Sequence, residues 1–206
     1  MIRDALEKSA RRSSEQLARP LARTGIDPNA LTVTGFLVSI PTAIAIATDR
    51  TWLGGILVLC TGAFDTLDGA VARLTGNGSK FGAFLDSTLD RWAEGIIFSG
   101  LAWLFAARGT QTELILSVLT LVGSMLVSYT RARAEALDIE CNVGFLQRPE
   151  RFLLIGISLL GPSWLLTAGM WFLAVATQIT AIQRVFHVHK EVERGKTETL
   201  DDALEN

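Results

Sequence analysis

The chain reads DTLDGAVAR at residues 65–73 and, after eight further residues, GAFLDSTLD at residues 82–90. Both runs adjoin long apolar segments, where an ionised side chain is costly and is usually paired, metal-bound or functional. The two aspartates of the first run are three residues apart and those of the second run four apart, so each pair lies on one helix face. Four carboxylates on neighbouring helices would repel one another without a cation. The spacing therefore predicts a site for one or two divalent ions, Mg²⁺ or Mn²⁺, with the ligands Asp65, Asp68, Asp86 and Asp90.

The composition is typical of a membrane protein with one domain. Of 206 residues, 49% are hydrophobic, and the apolar residues occur in blocks. Cys60 lies in an apolar run and Cys141 in a polar connection, so the sequence predicts no disulfide framework. We expect no nucleic-acid partner. The fold class that follows is an all-α integral membrane protein.

Six apolar segments predict six transmembrane helices within a domain that covers residues 25–187. Their approximate bounds are 31–48, 51–74, 81–107, 114–130, 149–161 and 163–186. Residues 1–24 carry charges throughout with Ile2, Leu6, Leu17 and Leu21 at roughly helical spacing, which indicates an amphipathic interfacial helix. For the first ten residues a solvated leader is an equal alternative. We expect the charged tail, 188–206, to be a cytoplasmic helix that frays into disorder.

The distribution of positive charge predicts the orientation of the six helices. Of 19 lysines and arginines, only Arg50 and Arg108 fall at the turns on the side away from the termini. Because basic residues are enriched on the cytoplasmic side, both termini are predicted to be cytoplasmic. The aspartates then lie near the cytoplasmic ends of the second and third spans, in a cavity open to that face.

The gapped pattern of the two runs, with eight fixed residues, resembles the motif of the CDP-alcohol phosphatidyltransferases. The resemblance implies transfer of a phosphatidyl group from CDP-diacylglycerol to an alcohol with release of CMP, in a bacterial plasma membrane and in a homodimer. It implies two metal ions held by Asp65, Asp68 and Asp86, with Asp90 as both a ligand and the base that deprotonates the acceptor hydroxyl. It also suggests a site for the CDP-lipid formed by Pro28, Asn29, Ala30, Leu31, Gly69, Arg73, Ser79 and Gly82.

Some of these donor-site residues have a second interpretation. The Pro-Asn pair before the first span is also an ordinary helix start. Gly69 and Gly82 leave room for a nucleotide, but small residues also serve helix packing in membranes. Arg91 and Glu94, three residues apart, are expected to neutralise each other or a partner helix.

A second set of polar residues, near the polar connection 136–148, predicts a pocket for an acceptor phosphate. Its members are Ser128, Arg131, Arg133, Arg148, Arg151 and Arg184. The run SYTRARAE at 128–135 resembles a stretch of one branch of the family, the actinobacterial phosphatidylinositol phosphate synthases, with arginine where that branch has lysine. Inositol 1-phosphate is therefore the leading acceptor, and the alternatives are glycerol 3-phosphate or another alcohol.

Two further alternatives remain open from the residues alone. Arginines also gather at cytoplasmic helix ends for topological reasons, and Arg184 could simply snorkel to the interface. An intramembrane acid cluster is also compatible with a cation-coupled transporter. This alternative is less favoured, because many transporters are built from inverted repeats and the sequence shows no repeat.

Overall fold

The computed structural model describes residues 14–144 and 146–205, with side chains as far as residue 194, and every regular element in this part of the chain is a helix. The helices are α1 (14–23), α2 (Pro28–Ala47), α3 (Thr51–Thr75), α4 (Lys80–Ala107), α5 (Gln111–Glu135), α6 (Arg148–Leu160) and α7 (Ser163–Glu205). The prediction of an all-α protein is confirmed.

Capping residues set the helix boundaries around the two aspartate runs. The Asp27 side chain caps α2 by accepting a hydrogen bond from the Asn29 backbone N–H at 2.9 Å. Gly76, with φ of 69°, ends α3 in the left-handed conformation that glycine adopts without strain. Ser79 then caps α4 by accepting a hydrogen bond from the Gly82 N–H at 2.9 Å. This short turn folds the second aspartate run back beside the first.

The helices pack as a bundle in which α2 contacts both α3 and α4, α6 contacts α3 and α7, and α5 contacts α4 and α7. Small residues bring the backbones close together. A Cβ on Gly100 of α4 would lie 2.7 Å from the Ala43 carbonyl oxygen of α2, and one on Gly55 of α3 would lie 2.8 Å from the Gly156 carbonyl oxygen of α6. Such close approach is typical of helix packing in lipid. The main apolar core includes Phe98, Leu101, Ile155, Leu159 and Leu173.

Four helices are long and apolar enough to cross a bilayer: Pro28–Ala47, Thr51–Thr75, Gln111–Glu135 and the Ser163–Arg194 part of α7. The other two predicted spans differ for physical reasons. The first half of α4 is rich in charge, and α6 has only 13 residues, about 20 Å of helix against a hydrocarbon core of about 30 Å. Six crossings and the cytoplasmic position of the termini therefore stay predictions.

The first and last helices can be compared with the predicted N-terminal helix and C-terminal tail. In α1, Ala18 is buried in a small cluster with Leu31 and Val71, and Leu17 is 71% exposed, as an amphipathic helix requires. The rest of the predicted interfacial helix, 1–13, lies outside the described residues. At the other end α7 continues without a break to Glu205. This agrees with the helix expected beyond residue 188, and the fraying of that helix stays a prediction.

Candidate active site

Three of the four predicted metal ligands converge where α3 and α4 face each other. One carboxylate oxygen from each of Asp65, Asp68 and Asp86 lies within 4.8 Å of the others. The Asp86 Oδ1 atom is buried and has no hydrogen-bond partner among the described residues. A buried, unpartnered carboxylate oxygen calls for a cation or a donor, and hard oxygen ligands suit Mg²⁺ or Mn²⁺. The residues therefore fit a divalent ion.

The fourth aspartate, Asp90, joins this cluster through an arginine. Arg148, at the start of α6, places its Nη1 atom 2.7 Å from Asp90 Oδ1 and also forms an ion pair with Asp65. Its guanidinium carbon lies 4.8 Å from the centre of the Phe152 ring, one turn along α6. Arg148 was predicted to bind an acceptor phosphate; the structure puts it in contact with the carboxylates.

A cavity of about 200 Å³ opens beside the cluster, between the first turns of α2 and α4 and the last turns of α3. It is lined by Pro28, Asn29, Thr32, Asp68, Gly69, Ala72, Asn77, Gly78, Ser79, Gly82, Ala83 and Asp86. The lining includes five residues predicted for the CDP-lipid and two of the predicted metal ligands. A ligand in this cavity would therefore touch the acid cluster.

The remaining predicted donor residues lie outside the cavity lining. Ala30 is exposed, Leu31 is buried in the small cluster under α1, and Arg73 Nε lies 3.9 Å from Glu15 Oε1. Within the cavity, Gly82 is constrained by its neighbour, because a Cβ there would lie 2.8 Å from Asn29 Oδ1. A larger residue at this position would therefore have to displace the Asn29 side chain.

The arginines predicted for the acceptor have different partners in this structure. Arg151 is fully buried and pairs with Glu94. Of the two expectations for Glu94, pairing with Arg91 or with a partner helix, the structure therefore shows the second. Arg91 instead donates to the Ser87 carbonyl oxygen of its own helix.

The others surround the polar connection between α5 and α6. Arg184 is buried; its Nε donates to the Val143 carbonyl oxygen at 2.9 Å, and its Nη1 donates to the Val127 carbonyl oxygen. It has Arg131 among its charged neighbours. Arg131 Nε lies 2.8 Å from Glu135, while Ser128 is half-buried and Arg133 exposed. These arginines form a cationic region around the polar connection, and Arg184 within it is tied to backbone oxygens.

Two residues of the site have no role in the sequence-based prediction. Thr32 Oγ1, one turn into α2, donates to Asp68 Oδ2 at 2.7 Å. The ring of Phe152 lies against the guanidinium group of Arg148. Thr32 is separated from Asp68 by 36 residues, and Phe152 belongs to an ordinary apolar run, so neither position carries a local signal.

The helical bundle, the acid cluster and the adjoining cavity match one class of membrane enzyme. The family model for CDP-alcohol phosphatidyltransferase matches residues 26–184, and the chain belongs to this family. It is an enzyme of that class and an integral membrane protein.

Relatives within the family carry more specific names. The chain is 38% identical over 179 residues to a phosphatidylinositol phosphate synthase of Mycobacteroides abscessus, covering 84% of this chain and 81% of the relative. It is 40% identical over 183 residues to an archaetidylinositol phosphate synthase of Pyrococcus horikoshii, covering 88% and 93%.

A solved structure of a related enzyme has a similar fold. The phosphatidylinositol phosphate synthase of Mycobacterium tuberculosis with CDP-DAG bound superposes with a TM-score of 0.77 at 36% identity, covering 86% of this chain and 94% of that chain. The same enzyme in complex with manganese and citrate gives a TM-score of 0.76 at 37% identity, covering 85% and 88%.

Proposed function

We propose that this enzyme transfers the phosphatidyl group of CDP-diacylglycerol to a phosphorylated polyol, with inositol 1-phosphate as the acceptor, and releases CMP. The observation that carries the proposal is the convergence of Asp65, Asp68 and Asp86 within 4.8 Å, with Asp68 and Asp86 in the wall of the cavity. Such a cluster beside a cavity suits a pyrophosphate, whose charge must be neutralised for phosphoryl transfer. The names of the relatives support the choice of acceptor.

On the donor side, the chain supplies metal ligands and a nucleotide cavity. Asp65, Asp68, Asp86 and Asp90 would hold Mg²⁺ or Mn²⁺, in the proposal two ions, which supply charge neutralisation on the phosphates. The manganese complex of the related enzyme supports a divalent ion. Pro28, Asn29, Gly69, Ser79 and Gly82 line the cavity that would hold the CDP group. In the proposal, Ala30, Leu31 and Arg73 also contribute to the CDP-lipid site.

On the acceptor side, Asp90 would act as the base. The acceptor hydroxyl oxygen forms a bond to the donor phosphorus, the bond from that phosphorus to CMP breaks, and the hydroxyl proton passes to the Asp90 carboxylate. Arg148, in contact with Asp90, is placed to attract the acceptor's phosphate towards this carboxylate. Ser128, Arg131, Arg133 and Arg184 would complete the region that receives that phosphate.

The proposed setting is a bacterial plasma membrane, with six crossings and with both termini and the active site on the cytoplasmic side. Four helices of sufficient length support the membrane location, and the charge distribution supports the orientation. We also propose a homodimer. A groove of about 640 Å³ between α2 and α4, flanked by exposed Trp92 and Trp103, is a surface that a second copy could cover.

The test is CMP release by the purified protein with CDP-diacylglycerol, Mg²⁺ or Mn²⁺, and one acceptor at a time: inositol 1-phosphate, glycerol 3-phosphate or serine. We expect release with inositol 1-phosphate, loss of release with EDTA, and loss in Asp86→Asn. Asp49→Asn is the matched control, since Asp49 pairs with Arg108 in the turns remote from the cluster. Release with glycerol 3-phosphate alone would refute the acceptor, and release that survives chelation would refute the metal site.

A further inference from the structure

The α7 helix holds the backbone of the polar connection between α5 and α6 through three of its side chains. These side chains lie on one face of α7, four and three residues apart: Thr180, Arg184 and His187. The backbone groups that they bind follow one another at intervals of three residues, in the opposite direction along the chain: the Leu146 N–H, the Val143 carbonyl and the Glu140 carbonyl. We call these three contacts the backbone clamp.

The inner part of the backbone clamp is buried. Thr180 is fully buried, and its Oγ1 atom accepts a hydrogen bond from the Leu146 N–H at 3.4 Å. Arg184 is also buried, and its Nε donates to the Val143 carbonyl oxygen at 2.9 Å. Gly144 lies against both side chains, because a Cβ there would be 2.7 Å from Thr180 Cγ2 and 3.4 Å from Arg184 Nε. Its φ of 128° also favours glycine, so the connection runs in direct contact with α7.

The outer contact of the backbone clamp comes from His187. This side chain is half-buried, and its Nε2 donates to the Glu140 carbonyl oxygen at 3.0 Å. Neither His187 nor Thr180 is among the residues proposed for the donor, the metal ions or the acceptor. Both bind main-chain atoms, so they constrain the path of the connection independently of its side chains.

The path of the connection matters because it joins two groups of arginines. The arginines predicted for the acceptor phosphate that precede or follow it are Arg131, Arg133, Arg148 and Arg151. Leu146 contacts both sides of this region: its N–H binds Thr180, and its carbonyl oxygen accepts a hydrogen bond from Arg151 Nη1 at 3.3 Å. A phosphate is bound by several cations at once, so its apparent affinity falls with the fraction of molecules in which those cations are correctly placed.

We propose that Thr180 and His187 are positioning residues for the acceptor. They bind the backbone of the polar connection, hold it against α7, and thereby keep the arginines before and after it at the separation that receives the acceptor's phosphate. Neither residue contacts the acceptor itself. This role depends on the proposed function, since it takes the cationic region to bind that phosphate.

The experiment compares substitutions that remove the two contacts with substitutions that keep them. Thr180→Val/His187→Leu removes the hydroxyl and the ring N–H with little change in volume. Thr180→Ser/His187→Gln keeps a hydroxyl and an N–H donor at the same positions. Each protein is measured for kcat and KM with the acceptor that the parent uses, for KM with CDP-diacylglycerol, and for amide hydrogen exchange of the peptide that contains Leu146.

Thr177→Val/His189→Leu is the matched control. Thr177 is fully buried on the turn before Thr180 and donates to the Ala174 carbonyl oxygen at 3.3 Å. His189 is exposed, and its Nε2 lies 3.4 Å from Glu193 Oε1. Both contacts of the control stay within α7, so their loss removes a buried threonine hydroxyl and a histidine ring while the backbone clamp is kept.

If the backbone clamp positions the acceptor region, Thr180→Val/His187→Leu raises the KM for the acceptor by on the order of tenfold, because backbone groups lose their partners and the clamped arrangement is less populated. The peptide that contains Leu146 exchanges its amide hydrogens faster, since its N–H has lost its acceptor. The KM for CDP-diacylglycerol stays near that of the parent. Thr180→Ser/His187→Gln and the control keep the acceptor KM and the amide exchange of the parent.

An acceptor KM that is unchanged in Thr180→Val/His187→Leu, or that rises equally in the control, would overturn the inference. An equal rise in the KM for CDP-diacylglycerol would also overturn it, because a general loss of structure affects both substrates. If the double variant does not fold, His187→Leu is compared with His187→Gln in its place, and the same outcomes decide.

Failure of the proposed function gives a different result. If the parent releases no CMP with any acceptor, the proposed function fails, and the clamp is tested by amide exchange and by binding of inorganic phosphate, followed by ³¹P nuclear magnetic resonance. Faster exchange and weaker phosphate binding in Thr180→Val/His187→Leu alone would support the positioning role. Phosphate binding or exchange equal to that of the parent would refute it.

Discussion

Replacing Thr32 with valine removes one hydrogen bond from a proposed metal ligand and changes little else. The Thr32 hydroxyl donates to Asp68 Oδ2 at 2.7 Å, the shorter of its two contacts; the other is to the Pro28 carbonyl oxygen at 3.1 Å. Both side chains are buried, and valine keeps the branched shape of threonine. The substitution therefore leaves Asp68 in place with one oxygen less firmly oriented.

The size of the effect follows from the type of bond. A hydrogen bond to a charged group contributes about 1.5–3 kcal/mol, and loss of a partner that orients a metal ligand typically weakens metal affinity by about 10- to 100-fold. We expect Thr32→Val to weaken Mn²⁺ binding by that factor and to raise the metal concentration needed for half-maximal CMP release in proportion. The maximal rate at saturating metal should change much less.

Thr42→Val is the matched control for this measurement. Thr42 lies on the same helix, is fully buried, and donates to the Val38 carbonyl oxygen at 2.7 Å. Mn²⁺ affinity is measured by the electron paramagnetic resonance signal of the free ion in detergent-solubilised protein. Equal Mn²⁺ affinity in the parent and Thr32→Val, with both variants folded, would refute the argument that Thr32 orients a metal ligand.

Two further predictions concern the base and the nucleotide cavity. Asp90→Asn should abolish CMP release, because the carboxylate that takes the proton is lost. Nucleotide binding, measured by calorimetry with CDP, should stay largely intact. Loss of CDP binding would instead show that Asp90 is mainly part of the nucleotide site. Gly82→Ala should raise the KM for CDP-diacylglycerol and leave that for the acceptor unchanged, because the added methyl would meet Asn29 Oδ1 at 2.8 Å and displace the Asn29 side chain at the cavity wall. An unchanged donor KM would show that this close approach does not shape the cavity.

The helices were predictable because apolar runs and end signals agree along the chain. Asp27 and Ser79 are side-chain caps at the positions where the sequence changes from polar to apolar, and the structure begins α2 and α4 directly after them. The two aspartate runs were predictable as neighbours, because only a short glycine-containing turn separates their helices. Three of their carboxylates meet accordingly.

The partners of individual charged residues were not predictable in the same way. Spacing on one helix left two partners open for Glu94, Arg91 or a charge on another helix, and the structure shows Arg151, 57 residues away. Local periodicity shows which face a residue occupies, whereas the choice among several possible partners depends on how α6 is rotated against α4. The same reason explains why Thr32, which contacts Asp68 across a helix interface, was missed.

The cavity lining draws only on residues between Pro28 and Asp86, whereas Ser128, Arg131, Arg133 and Arg184 belong to the later helices α5 and α7. Under the proposed function, reaction with the activated lipid and choice of the acceptor are encoded in separate stretches of the gene. Substitutions in the second half can then change the acceptor specificity while the residues that bind the CDP-lipid and release CMP stay the same. Arg148 contacts Asp65 and Asp90, so any such change must remain compatible with its position between residues of the first half.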